Sequence, residues 1–230
     1  MFAQISLEGR LIVNCSISHD LPAALREAAY QIAKTLSTIH NSCMRIIAGE
    51  FRGRKLLPPD STTTRPITDR VKQSLFDVLT PLLPDCIVYD CFAGTGSLGL
   101  EAISRGAKFA MFFEIDRPAL GRLWQNVQSL GVEQRCRLIA SDVFAWFADA
   151  GNRPGQAGRA DIVFLDPPYR FLMEKAENLR RLGRELAERH LAADGTVVFR
   201  HAANSELELP GLRMAQTREY GSMKLEFLMR

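Results

Sequence analysis

The segment Val88-Tyr89-Asp90-Cys91-Phe92-Ala93-Gly94-Thr95-Gly96-Ser97-Leu98-Gly99 constrains the fold more than any other stretch of the chain. An apolar run that ends in a carboxylate, passes through glycines and enters a helix-forming stretch reads as strand, tight turn and helix. Glycines at such a turn let a ligand approach the backbone closely. The surrounding sequence repeats the alternation. β-rich runs at Ile87–Cys91, Phe109–Glu114, Arg137–Ala140, Ile162–Asp166 and Thr196–Arg200 alternate with helical stretches near 97–105, 117–130, 142–149 and 172–191. That order predicts a parallel sheet covered on both faces. Pro118 suits the first turn of its helix and Gly131 its end. Leu212–Glu219 and Met223–Met229, separated by Tyr220-Gly221-Ser222, predict a closing hairpin. The expected fold is therefore α/β and Rossmann-like, a mostly parallel seven-stranded sheet with a C-terminal antiparallel hairpin.

With 230 residues, 47% of them apolar, the chain can bury one substantial core. A boundary is expected near Met44. Residues 1–43 read as a poorly ordered extension or as sequence upstream of the true start, with an amphipathic docking helix at Leu21–Ile39 as the alternative. Residues 44–80 form a basic segment and 81–230 the catalytic core. Between Arg45 and Lys72 stand seven basic residues and three acids, so this stretch holds the positive balance of a chain whose net charge is +3. Five cysteines without a C-x-x-C pair disfavour a zinc site or a disulfide framework and suit a reducing cytoplasm. No metal is expected. No apolar run approaches the ~18–20 residues that span a bilayer, and no secretory leader is evident.

Gly94, Gly96 and Gly99 satisfy the dinucleotide pattern G-x-G-x-x-G, and Glu114 lies near the spacing of a ribose-binding acid. Asp90 argues against a dinucleotide, because a pyrophosphate would meet its carboxylate as a like charge. S-adenosylmethionine instead presents a cationic amino group and a sulfonium there. The expected cofactor contacts are Asp90, Phe92, Gly94 and Gly96 at the turn, Glu114 and Ile115 at the next strand end, and Asp142 and Val143 after the third. Glu114 would accept the ribose hydroxyls and Asp142 the adenine amino group. Asp142 also reads as a helix N-cap, a role compatible with ligand contact.

Asp161-Ile162-Val163-Phe164-Leu165-Asp166 is an apolar strand ending in a carboxylate, followed by Pro167-Pro168-Tyr169. Two prolines stop the strand and stiffen the turn. A free carbonyl beside a carboxylate can accept both hydrogens of an amino group and aim its lone pair at an incoming methyl. Tyr169 offers a face on which a base can stack. Carbon-5 methylation of a pyrimidine would need a cysteine nucleophile in this region, and none is present. Asp166, Pro167, Pro168 and Tyr169 are the expected catalytic residues.

These motifs in this order, with Glu114-Ile115-Asp116-Arg117, Arg65-Pro66-Ile67-Thr68-Asp69-Arg70-Val71 and the opening Met44-Arg45-Ile46-Ile47-Ala48-Gly49-Glu50-Phe51-Arg52-Gly53-Arg54-Lys55-Leu56, resemble the RsmD-type 16S ribosomal RNA guanine-N2 methyltransferases. The resemblance covers Met44 to Arg230. It implies a class I S-adenosylmethionine-dependent methyltransferase that modifies one guanosine amine of 16S rRNA, within the 30S subunit or an assembly intermediate. Ile67 stands where that family often has threonine, and Lys72-Gln73 where Arg-Glu is common. The chain has no inserted module for reading duplex sequence, so RNA would be recognised by shape, and a monomer suffices. Arg52, Arg54, Lys55, Arg65, Arg70 and Arg170 are the expected phosphate contacts.

Overall fold

The computed structural model describes residues 4–5, 11–12, 44–59, 67–152, 154 and 158–230. The helix considered at Leu21–Ile39 and the predicted phosphate contact Arg65 lie outside these residues. The chain divides into two compact units, Met1–Cys43 and Met44–Arg230. In the first, Gln4–Ile5 (β1) pairs antiparallel with Leu11–Ile12 (β2).

The second unit is built on a seven-stranded sheet of Ile87–Asp90 (β3), Phe109–Glu114 (β4), Cys136–Ala140 (β5), Ala160–Leu165 (β6), Leu191–Ala202 (β7), Arg213–Tyr220 (β8) and Met223–Met229 (β9). Its strand order is β5-β4-β3-β6-β7-β9-β8, with β3 to β7 mutually parallel and β9 antiparallel to both β7 and β8. The expected seven-stranded sheet and closing hairpin are both present. The central strands are buried on both faces, as Val163, Phe164 and Leu165 in β6 show. Continuous apolar runs are what a helix-covered parallel strand requires.

Helices cover the sheet on both sides. Asp69–Leu79 (α1), Ser97–Ser104 (α2) and Arg117–Leu130 (α3) pack with one face through Leu75, Phe76, Leu100 and Val127. Val143–Ala148 (α4), Phe171–Glu174 (α5) and Ala176–Glu185 (α6) pack with the other through Phe147, Leu179 and Leu182. Helix α3 has Pro118 in its first turn and ends on Gly131 at φ 69°, as its sequence predicts, and Asp116 caps its start by accepting from Ala119 N. Among the described residues no helix is long and apolar enough to cross a membrane.

Three elements depart from expectation. Helix α1 arises from a stretch read only for its charge, although Val71, Leu75, Phe76 and Leu79 give it a buried face at helical spacing. The single helix expected over 172–191 is broken: Lys175 leaves helical geometry at φ −132°, separating α5 from α6, and α6 runs into a π turn at Leu186–His190. Strand β7 begins earlier than expected because Leu191 already pairs with Ala160, after which the register shifts and Thr196 pairs with Ile162.

Candidate active site

Because β3, β4, β5 and β6 are parallel, their C-terminal ends share one edge of the sheet. Asp90, Glu114, Asp142 and Asp166 all stand at or just beyond those ends. From β3 the chain crosses to β4 on one side, while β6 lies on the other. That reversal opens a crevice above the strand ends, the usual place for a ligand in an open α/β sheet. Asp90 and Asp166 flank it.

The glycine turn is held in shape by its neighbours. Cys91 N donates to Phe164 O (3.0 Å), and Ala93 N to Phe113 O (3.0 Å). Gly94 and Gly96 have φ of 55° and 85°, the left-handed region that glycine tolerates best. A Cβ on Gly94 would meet nothing within 4 Å, so the backbone there is open to close approach, whereas one on Gly96 would strike Leu123 Cδ1 at 2.3 Å. Gly99 has a different reason to lack a side chain: a Cβ would lie 2.3 Å from Phe112 Cε1, so α2 seats directly on β4.

The three acids expected to face the cofactor also work on the protein itself. Asp90 is 1% exposed and accepts from Gly99 N at 3.0 Å. Burial, with smaller contributions from the charges of Asp166 and Glu114, raises its carboxyl to about 7, against the opposing pull of the Gly99 hydrogen bond. Glu114 accepts from Gly94 N (2.7 Å) through one oxygen and from Ile115 N (2.9 Å) and Asp116 N (2.8 Å) through the other. It thereby ties the glycine turn to the turn after β4. Asp142 caps α4, accepting from Phe144 N at 2.7 Å.

Apolar surface lies beside these acids. Ile115 is an exposed aliphatic side chain directly after Glu114, and Val143 is buried behind Asp142. Phe92, Phe144 and Phe171 form a three-ring cluster with centroids 5.9, 6.3 and 6.2 Å apart. Lys175 Nζ sits 4.4 Å from the Phe171 ring centre. A groove of about 340 Å³ opens past Asp142 between α4 and α6, lined by Phe144, Phe147, Lys175 and Arg181 among others. An acid for ribose hydroxyls, an exposed aliphatic for a purine face and an open glycine backbone suit an adenosine-bearing ligand. The donor set thus fits S-adenosylmethionine. Among the described residues no group of His, Cys, Asp or Glu is arranged to hold a metal ion. Cys86 and Cys91 are buried core residues whose thiols burial pushes up, Cys86 to about 12.

At the end of β6, Pro167 is buried and Tyr169 partly exposed. Pro168 O accepts from Phe171 N at 2.8 Å. Among the described residues the Pro167 carbonyl accepts no hydrogen bond. Asp166 receives one from Arg200 Nε of β7 at 2.5 Å, with the two side chains 18% and 11% exposed. Burial raises the Asp166 carboxyl above its ordinary range, and the Arg200 charge opposes that rise. Sequence reading placed Arg200 on a strand without giving it a task. The usable signal was a charged residue at the end of the apolar run Val197-Val198-Phe199, since charges are seldom buried unpaired.

The predicted phosphate contacts are not gathered in one place. Residues 44–57 fold back on themselves, with Ile46 N on Arg54 O and Leu56 N on Met44 O, and lie along α2. The open ends of this hairpin reach the glycine turn: Thr95 Oγ1 donates to Met44 Sδ, and buried Asn126 bonds both Thr95 O and Leu57 N. Its tip lies at the other end of α2, where Glu50 N donates to Ser104 O. Arg52 and Lys55 are exposed on this hairpin, and Arg54 is tethered to Ser129 O at the end of α3. Arg70 is exposed in the first turn of α1, and Arg170 pairs with Glu174 at 3.6 Å beside the β6 turn.

Comparison with known proteins places this arrangement. A family model described as "Conserved hypothetical protein 95" matches residues 44–229. Ribosomal RNA small subunit methyltransferase D of Escherichia coli K12 is 43% identical over 137 residues, which are 59% of this chain and 66%, just under two thirds, of that protein. The putative rRNA methyltransferase YlbH of Bacillus subtilis is 35% identical over 184 residues, covering 77% of this chain and 94% of that one. The solved structure of the putative methyltransferase yhhF from Escherichia coli superposes with a TM-score of 0.68 at 31% identity, covering 81% of this chain and 97% of that one. Sequence and fold together show that the chain belongs to this family, the RsmD-type methyltransferases, through its residues from Met44 onward.

Proposed function

We propose that residues 44–230 transfer a methyl group from S-adenosylmethionine to the exocyclic N2 amine of a guanosine in 16S rRNA, in the cytoplasm, with the 30S subunit or an assembly intermediate as substrate and the protein acting as a monomer. The observation that carries the reading is the Asp166 carboxylate next to the Pro167 carbonyl, which accepts no hydrogen bond among the described residues, at the end of β6 and across the crevice from the glycine turn. S-adenosylmethionine supplies an electrophilic methyl on a sulfonium and leaves as S-adenosylhomocysteine. Two acceptors fixed on a proline-stiffened turn can bind both amine hydrogens and rotate the nitrogen lone pair out of conjugation. Positive charge then develops on that nitrogen, and the Asp166 carboxylate lies where it offsets it. The methylated amine is strongly acidic and releases its extra proton without needing a strong base. Tyr169 offers a stacking face for the unpaired base. Asp90, Glu114, Ile115, Asp142 and Val143 would hold the cofactor with the backbone at Gly94.

Membership of the family, and the names of the Escherichia coli and Bacillus relatives, support an rRNA acceptor. A DNA or other RNA amino-methyltransferase acting at adenine N6 or cytosine N4 uses the same turn chemistry and is the alternative. Labelled cofactor offered with 30S particles, naked rRNA and duplex DNA in turn distinguishes them. Label is expected in 30S rRNA, released as N2-methylguanosine on digestion. Transfer to duplex DNA alone would sink the rRNA assignment. Asp166→Ala should bind cofactor normally and lose most turnover.

A further inference from the structure

We propose that Arg200 is a positioning residue for methyl transfer: it holds one oxygen of Asp166, so that the other oxygen and the Pro167 carbonyl face the acceptor amine. The inference rests on the reading of Asp166 given above. Leu165 pairs with Phe199 in the parallel ladder, so Asp166 and Arg200, each one residue further on, are neighbours across β6 and β7. The guanidinium Nε donates to Oδ1 at 2.5 Å. Arg200 is itself fixed: it is 9% exposed, pairs with Leu225 of β9 and sets one terminal nitrogen 3.7 Å from Met223 Sδ.

Two consequences follow for the reaction. A carboxylate without a partner rotates freely about its last bond, and the amine would meet either oxygen. Pinning Oδ1 leaves a defined acceptor, Oδ2, next to a backbone carbonyl that is already rigid. A buried carboxylate that loses its cation also tends to take up a proton, and a neutral acid would present an O–H donor where the amine needs an acceptor. Around this pair, Asp90 of β3 feels the Asp166 charge. On the hairpin, Glu226 and Lys224 of β9 lie near His201 and Glu219, while Arg218 and Tyr220 of β8 bond Ser74 of α1. Arg170 of the turn is paired with Glu174. Among all these groups it is Arg200 that touches Asp166.

The test compares wild type with Arg200→Met, Arg200→Lys and Asp166→Asn. Turnover is followed from pH 6 to 9.5 on 30S particles, with S-adenosylhomocysteine affinity, thermal midpoint and the Asp166 carboxyl titration by carbon NMR. In Arg200→Met, kcat should fall roughly 100-fold at neutral pH, the scale of a small misplacement at a reacting centre. Cofactor affinity should stay within about twofold. The deficit should narrow as pH rises and Asp166 ionises, and its titration should move up, reflecting the lost charge partner. Arg200→Lys should recover most of the turnover. A deficit equal at every pH, or an unmoved Asp166 titration, would overturn the proposal. If Arg200→Met does not fold, Arg200→Lys carries the same test, with a smaller loss and an acid limb displaced in the same direction. Full activity of Asp166→Asn would instead remove the underlying reading of the site. Loss in Asp166→Asn beside an Arg200→Met enzyme with wild-type rates and pH profile would leave that reading standing and remove only the positioning role. The NMR titration reports on the pair even if 30S particles prove to be the wrong acceptor.

Discussion

Lys72 and Glu101 form an ion pair inside the protein, with Nζ 3.1 Å from Oε2 and side chains 2% and 0% exposed. Glu101 also accepts from Ile47 N (2.8 Å), Ala48 N (3.0 Å) and Arg105 Nε (2.8 Å). Lys72 donates in addition to Arg45 O and Ser97 Oγ. One buried carboxylate therefore fastens the hairpin at 44–57 to α2, and its lysine partner reaches the first residue after the glycine turn. Removing one member of a buried pair leaves the other charge uncompensated, at a cost of about 3–5 kcal/mol. Glu101→Ala should lose at least that much in chemical denaturation, because two backbone N–H groups are orphaned as well. Lys72→Met should cost less, since Arg105 still answers the Glu101 charge.

Asp90 predicts opposite effects on stability and on ligand affinity. Its carboxyl is raised from 3.8 to about 7, so between those values the folded protein retains a proton that the unfolded chain has released. Stability therefore falls as pH rises through that window, by up to about 4 kcal/mol once pH exceeds 7. Asp90→Asn removes this loss. Its thermal midpoint should exceed that of wild type at pH 8 and match it near pH 4, while calorimetry at pH 8 should show weaker S-adenosylmethionine binding. Equal midpoints at pH 8 would contradict the assignment.

Arg52 lies at the tip of the hairpin, about 12 Å from the glycine turn by the rise of the eight-residue α2, whereas Lys55 is exposed nearer the open end, opposite Arg45. Both are proposed to hold RNA and to take no part in the chemical step. Reversing both charges should weaken RNA binding and flatten its salt dependence, by about 0.7 in log–log slope for each phosphate of single-stranded RNA that is no longer neutralised. Turnover at saturating RNA and cofactor affinity should be unchanged. A fall in turnover with an unaltered salt slope would show that these residues act through the fold. Arg54, tethered to Ser129 O, is a poorer probe because its reversal also disturbs α3.

His190 should make the protein acid-sensitive. Its ring is buried between Trp146 and Phe147 with neither nitrogen hydrogen-bonded among the described residues, and burial together with the charges of Arg189 and Arg159 lowers its pKa from 6.5 to about 4. The unfolded chain binds a proton in that window that the folded chain refuses, so stability falls as pH drops from 6.5 towards 4. The linkage amounts to about 3 kcal/mol. His190→Phe should flatten the drop in thermal midpoint between pH 7 and pH 5. An unchanged drop would assign the acid loss to other groups.

What could be read from the sequence was local in origin. Glycine turns, proline stops and alternating apolar runs declare themselves within a dozen residues, so the sheet, its closing hairpin and the strand-end acids were all visible. Pairings across long separations were not. Lys72 counts as a surface charge until Glu101, 29 residues on, is folded beneath it. Arg200 likewise meets Asp166 across 34 residues. The periodicity of α1 was present in Val71, Leu75, Phe76 and Leu79 but was masked by the charges between them. The break at Lys175 has no sequence signal such as glycine or proline; the lysine spans Phe144 and Phe171 instead of extending the helix.

The three N–H groups gathered by Glu114 bear on the thermodynamics of the proposed cofactor site. A binding loop that orders only when its ligand arrives loses roughly 1–2 kcal/mol of backbone entropy for each residue fixed. Here Gly94 is already stitched to the turn after β4. That loss was incurred during folding, so association at this turn should be quick, with little reshaping of the backbone. Removing the stitch, as in Glu114→Ala, would return the entropy to the binding step, in addition to deleting the proposed ribose contact, and weaken every adenosine-bearing ligand alike, methylated or not.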